Sequence, residues 1–320
     1  MGLPGKPNGC HAAGLLLNVW DKSKGGRTMF LRNKIVCIML TLLVVGSLAN
    51  PFGSRVVKAE GTPRATWLWD TALIQSKPDD VVAFLAGNNA NQVYLQINSS
   101  IPNAAYKQFI SKASATGIQV HALDGAPNWV SSKGSTYLNA FFSWVKNYQA
   151  TALPAEKFAG VHLDVEPYLF SGWTSNYKST VLSYQNILLS AKSQAAQLRL
   201  PLGADMPFWF DEHTYNNKLG KGNLAEWVIG TVDSPTIMAY RDTAPAIADI
   251  IGNEVNMARA AGKKLVIGVE TGATNEGDFI TFHEEGKAYM EVELSAVQVQ
   301  YGGNLVFAMH YLESWMNMKP

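Results

Sequence analysis

Cysteine is nearly absent. The 320-residue chain has two, Cys10 and Cys37, so everything beyond residue 37 lacks a thiol for a disulfide or a thiolate metal site. The 261 residues from Glu60 to Pro320 are enough to bury a core without cross-links. Histidine is also scarce, with six in the chain and no H-x-H or H-E-x-x-H spacing. A hydrolase zinc site therefore has no motif to rest on, and no metal or other cofactor is expected. A serine hydrolase would need a G-x-S-x-G elbow, and none occurs. "WLWDTALIQ" (67–75) contains no phosphate-binding glycine loop, and "GATNEGD" (272–278) reads as a loop without a lysine for phosphates. Clusters of Lys and Arg are missing too. Eight of the 26 basic residues but only one of the 25 acidic ones precede Glu60, which leaves a net charge of −6 beyond it. A mildly acidic chain of this kind is a poor nucleic-acid binder.

Long apolar runs are absent except for one. It extends from Ile35 to Ala49, behind Met29, Arg32 and Lys34. At 15 residues it is short for a membrane span, which needs about 20. Downstream, Val57-Lys58-Ala59 has the small-residue ending of a signal-peptidase site, and no cysteine follows a lipobox-like triplet. Residues 29–59 are thus expected to be a signal peptide, with a mature, secreted chain starting at Glu60 and no stable membrane insertion after cleavage. Residues 1–28 show no periodicity. "KGGR" (24–27) reads as a translated ribosome-binding site, which makes Met29 the expected start and 1–59 the leader.

Residues 60–320 show no composition break and read as one domain. Strand-like runs recur at 65–71, 92–98, 117–125, 160–168, 198–206, 231–240, 263–271 and 304–312. Helical segments separate them, at about 78–87, from Pro102, around 136–149, around 180–197, 246–262 and 286–302. Eight strands alternating with helices predict an α/β fold with a closed parallel sheet, the (β/α)8 or TIM barrel. The chain ends eight residues after the eighth strand, so the closing helix is expected to be short or absent.

The run "GVHLDVEPY" (160–168) crowds two acids onto one strand. Alternation places His162, Asp164 and Glu166 on one face and Val161, Leu163 and Val165 on the other. Barrels of this type keep their active sites at the C-terminal ends of the strands, and polar residues collect at those ends here. They are Asp70, Asn98, His121, Asp124, Asp164, Glu166, Asp205, Tyr240, Arg241, Glu270 and His310. Trp67, Trp69, Trp209 and Trp315 stand beside them. Aromatic faces with carboxylates suit an oligo- or polysaccharide. Glycoside hydrolysis uses one acid to protonate the leaving oxygen and a second as nucleophile or base. Crowding Asp164 against Glu166 should raise the proton affinity of one of them. Asp164, Glu166 and Glu270 are the candidate catalytic residues, and the others are candidate substrate contacts. The alternative outside catalysis is a barrel that binds a cell-wall or extracellular glycan and has lost its activity.

Two resemblances follow from these residues. "AGVHLDVE" resembles the family 18 chitinase signature D-G-x-D-x-D-x-E at Gly160, Asp164 and Glu166, with Ala159 and His162 at its other two acids. "MAY" (238–240) is similar to that family's M-x-Y-D, with Arg241 in place of the Asp. This likeness implies that Glu166 is the proton donor, and that Asp164 and Tyr240 hold the substrate's N-acetyl group. "VEP" (165–167) and the strand-end Glu270 resemble the clan of retaining glycosidases with acids on strands four and seven. That likeness implies Glu166 as acid/base and Glu270 as nucleophile, about 5 to 5.5 Å apart. Glu270 ends a buried strand, where an unpaired charge is costly unless it has a role, and this favours the Glu166/Glu270 pair.

The leader generates a prediction. N-terminal sequencing of the exported protein should begin at Glu60, whereas finding only an intact, membrane-embedded form in fractionated cells would contradict it.

Overall fold

The computed structural model describes residues 63–303 and 305–320; the expected leader and its cleavage site lie outside them. Ten strands form: β1 (Arg64–Leu68), β2 (Ala90–Gln96), β3 (Gln119–Asp124), β4 (Gly160–Leu163), β5 (Leu202–Pro207), β6 (Thr214–Asn217), β7 (Gly220–Asn223), β8 (Ser234–Met238), β9 (Val266–Glu270) and β10 (Val306–His310). Eight of them, all but β6 and β7, pair in parallel and close a barrel in chain order. The helices are α1 (Leu73–Ser76), α2 (Pro78–Gly87), α3 (Asn103–Ala115), α4 (Gly134–Thr151), α5 (Gly172–Ser175), α6 (Tyr177–Gln197), α7 (Leu224–Thr231), α8 (Ala244–Ala260), α9 (Lys287–Gln300) and α10 (Leu312–Asn317). The result is the (β/α)8 barrel, and its closing helix α10 is a six-residue stub.

Alternation along the strands sorts side chains into two cores. Val161, Leu163, Leu202, Ala204, Ile267 and Val269 join the apolar layer beneath the helices, with Phe109, Leu188, Ile251 and Leu294. Ala65, Trp67, Tyr94, Leu123, Val266 and Ala308 pack inside the barrel. Large rings occupy this narrow space because glycines face them. His121 pairs with Gly160 and His162 with Gly203 across neighbouring strands. A Cβ on Gly160 or Gly203 would sit 2.5 Å from the facing imidazole, and one on Gly268 would sit 3.1 Å from Trp67.

Between β5 and β8 lies an element that apolar periodicity does not announce. β6 and β7 form an antiparallel hairpin, followed by α7, whose first turn is capped by the Asn223 side chain accepting from the Glu226 N–H. The hairpin's strands, "TYNN" and "GKGN", are polar and largely exposed, so they carry no hydrophobic alternation. Asn217 ties the hairpin to α6 by donating to Gln185 at 2.7 Å.

The ring-against-glycine packing is testable. Gly160→Ala and Gly203→Ala should each lower unfolding stability by about 1–3 kcal/mol through overpacking. Gly230→Ala in α7, where an added Cβ meets nothing within 4 Å, should be neutral or mildly stabilising. Urea unfolding of the three variants checks this, and equal effects at all three sites would refute it.

Candidate active site

The floor of the site is a buried carboxylate. Asp205, inward on β5 and 2% exposed, accepts from Trp67 Nε1 at 3.0 Å and meets His162 Nε2 at 2.8 Å. His162 stacks on Tyr94 with ring centroids 3.7 Å apart. Burial pushes the His162 imidazole down to about 3, so the ring is neutral. Its Nδ1 is buried without a hydrogen bond among the described residues. A bare lone pair is cheaper there than an orphaned N–H, so Nε2 carries the proton and donates to Asp205. Burial drives the proton affinity of Asp205 up; Trp67 and His310 oppose this, and Glu166 adds to it.

Directly above are the two acids of the fourth strand. The ladder continues one residue past β4, since the Asp164 N–H donates to the Asp124 carbonyl at 3.1 Å. Gly125 permits this close passage, because a Cβ there would lie 2.0 Å from the Asp164 carbonyl oxygen. Pro167 then opens a 3-10 turn over Pro167–Leu169, which leaves Glu166 at the mouth. Asp164 Oδ1 is buried and has no hydrogen-bond partner among the described residues. Burial first, then the charges of Asp205 and Glu166, push the Asp164 carboxyl well above the usual range, with His310 opposing. A proton on Asp164 relieves both the desolvation and the repulsion. Glu166 accepts a hydrogen bond from the Tyr168 hydroxyl.

On the far side, Tyr240 lies against His310 with centroids 5.5 Å apart. His310 Nδ1 meets Glu270 Oε2 at 2.7 Å, and Trp69 Nε1 donates to His310 Nε2 at 3.3 Å. Burial would lower the His310 pKa, but the bond to Glu270 and the negative charges of Glu270, Asp164 and Asp205 outweigh it and raise the value. The Trp69 N–H, which can only donate, favours the neutral tautomer instead. The other oxygen of Glu270 accepts from the N–H groups of Thr271 at 2.8 Å and Gly272 at 2.6 Å.

Asp164, Glu166, Asp205, Tyr240, Arg241, His310, Trp67, Trp69 and Trp209 line one cavity of about 400 Å³ at the C-terminal ends of the strands. Six of the residues singled out from sequence do not line it. Glu270 stands behind His310 with both oxygens engaged. Asp70 caps the turn into α1 through the Ala72 N–H, and Asn98 accepts from the N–H and hydroxyl of Ser100. Asp124 accepts from the Gly125 N–H. His121 is buried against the Gln92 amide, with burial pushing it down to about 3. Trp315 belongs to the helix layer, edge-on to Phe84 at 5.0 Å. Strand-end polarity does not distinguish these local roles from a place in the cavity.

The cavity also takes Tyr168, the aromatic residue that closes the run 160–168, and residues that were not candidates: Leu169, Pro207, Phe208, Met238, Glu276 and Ile280. Met238 shares the inward parity of Tyr240 and was legible on that ground. Glu276 and Ile280 come from the irregular loop after β9, where no period exists to read. Among the described residues, no group of three or more His, Cys, Asp or Glu is placed to hold a metal ion.

Neither the known family models nor the curated protein sequences contain a match to this chain. Solved structures do match in fold. The C-terminal domain of a putative chitinase from Desulfitobacterium hafniense DCB-2 aligns over 79% of this chain and 94% of its own, at 12% identity and a TM-score of 0.53. A GH18 chitinase from Pseudoalteromonas aurantia aligns over 79% and 95%, also at 12% identity and a TM-score of 0.53. At this identity the likeness is one of fold, the closed (β/α)8 barrel.

Proposed function

We propose that the protein is a secreted glycoside hydrolase that cleaves an oligo- or polysaccharide at the C-terminal mouth of its barrel. The observation that carries this reading is the placement of Asp164 and Glu166 beside Asp205 and Tyr240 in a single cavity walled by Trp67, Trp69 and Trp209. Indole faces offer stacking surface to pyranose rings, and the two carboxyls supply acid/base capacity. Glu166, at the mouth, is assigned as the proton donor to the leaving glycosidic oxygen, using the proton that it and Asp164 hold between them because the two carboxyls resist joint ionisation.

The cavity favours the substrate's own acetamido group as nucleophile over Glu270. Glu270 is held by two backbone N–H groups and His310 and does not line the cavity. In the favoured route the acetamido oxygen attacks the anomeric carbon while the bond to the leaving oxygen breaks and Glu166 gives that oxygen its proton. Asp164 and Tyr240 hold the acetamido group in place; a carboxyl keeps an acceptor oxygen for the amide N–H in either protonation state. Water then adds at the anomeric carbon as the bond from that carbon to the acetamido oxygen breaks, which frees the acetamido group, and the proton lost by the water returns to Glu166. The name of the two fold neighbours, chitinase, agrees with an N-acetylated substrate. Glu270 acts on this reading as the group that orients His310.

The assignment separates two variants in the hydrolysis of a chromogenic N-acetylglucosaminide and a polysaccharide panel. Glu166→Gln should lower turnover by about 10²- to 10⁴-fold, as for loss of a general acid. Glu270→Gln should keep turnover within about tenfold, far from the loss of about 10⁴-fold or more that follows removal of a covalent nucleophile. A collapse of Glu270→Gln to that level would replace substrate assistance by a Glu270 nucleophile. Binding without any hydrolysis by the wild type would make the barrel a glycan binder.

A further inference from the structure

We infer that Arg241 selects glycans bearing a carboxylate, and that the cavity's substrate is an acidic polymer of N-acetylated sugars. This rests on the glycan site proposed above and adds the chemical class of its ligand. Among the described residues, Arg241 is the only Lys or Arg lining the cavity, against the carboxylates of Asp164, Glu166, Asp205 and Glu276. None of the ion pairs formed by the described residues includes it. A guanidinium has five N–H donors, and the one hydrogen bond that Arg241 makes among the described residues goes to its own neighbour, the Tyr240 carbonyl, at 2.7 Å.

The head group lies against two aromatic rings. Its Cζ lies 5.1 Å from the Phe208 ring centroid and 5.5 Å from that of Phe279. Phe208 follows β5 and Phe279 belongs to the loop after β9, so Arg241, just past β8, is flanked by rings from both neighbouring strands. The Asp242 N–H donates to the Phe279 carbonyl at 3.2 Å and holds that loop alongside. A planar cation clamped between rings, with donors to spare, matches the bidentate geometry of a carboxylate. Around the mouth the order is Glu166 after β4, Phe208 and Trp209 after β5, and Arg241 after β8. A sugar cleaved at Glu166 can thus have a neighbouring unit over the β5 aromatics with its carboxylate at Arg241. Without the cation, an acidic glycan would meet only repulsion from the carboxylates around it.

Two sources supply this chemistry, a uronic acid in the chain or a lactyl ether on the amino sugar. The test measures binding by tryptophan fluorescence in Glu166→Gln protein, which retains the cavity's shape and suppresses turnover. The probes are a hyaluronan tetrasaccharide (uronate), a tetrasaccharide alternating N-acetylglucosamine and N-acetylmuramic acid (lactyl), and tetra-N-acetylchitotetraose (neutral). At least one acidic probe should bind about tenfold more tightly than the neutral one, roughly 1.4 kcal/mol, with the preference falling as salt rises. Adding Arg241→Gln should abolish the preference by weakening the acidic probes more than the neutral one; Arg241→Lys should retain part of it. An equal or tighter neutral probe, or a preference that survives Arg241→Gln, overturns the inference and leaves the glycan site standing. Equal weakening of all three probes would reduce Arg241 to a structural clamp. No binding of any probe would bring down the glycan site itself, and this inference with it.

Discussion

The barrel's interior is organised around one buried carboxylate and the rings that hold it. Asp205 has Trp67 on one oxygen and His162 on the other, and both rings fit only because Gly203 and Gly268 give them room. A carboxylate removed from water is tolerable only with such partners. Apolar side chains would fill the same volume with less electrostatic cost. The consequence of using a carboxylate is an electrostatic one, felt by Asp164 above it. Asp164 has a buried oxygen without a partner among the described residues and the charges of Asp205 and Glu166 beside it, so the stack favours a proton there.

That proton connects packing to the proposed chemistry. Glu166 sits at the mouth, bonded to Tyr168, and the acid beneath it resists ionisation because burial and Asp205 penalise a second charge. Like charges so close cannot all ionise at little cost. On the opposite wall, Glu270 and His310 supply the counterpart: a proton on His310 would lower the proton affinity of both Asp164 and Asp205, and Glu270 keeps His310 in place. Proton affinity around the cavity is thus set by three elements, the floor, the acid strand and the His310 pair.

How far the sequence spoke for itself depended on periodicity. The strand alternation of 160–168 marked His162, Asp164 and Glu166 as one inward face, and the eight strands with their intervening helices marked the closed barrel. Arg241, Trp209 and His310 were recognisable as strand-end residues. Asp70, Asn98 and Asp124 looked the same in sequence, but each has backbone N–H groups within one or two residues to satisfy. Only three dimensions reveal that choice. Glu270 has the right parity and the right strand end, but the next two N–H groups and His310 claim its oxygens. The β6–β7 hairpin was silent because its residues are polar and exposed, and Glu276 and Ile280 because a loop has no period.

Burial and the neighbouring charges favour a native-state proton on Asp164 that the unfolded chain releases. A carboxyl whose pKa is raised on folding makes stability fall as pH rises from its unfolded value through its folded one. Asp164→Asn keeps the shape and removes the titration. The deciding measurement is the urea-unfolding free energy of wild type and Asp164→Asn from about pH 4.5 to about pH 8. Wild type should lose stability relative to the variant steadily as pH rises. A difference that stays constant over this range, or that moves in favour of wild type, would contradict the account.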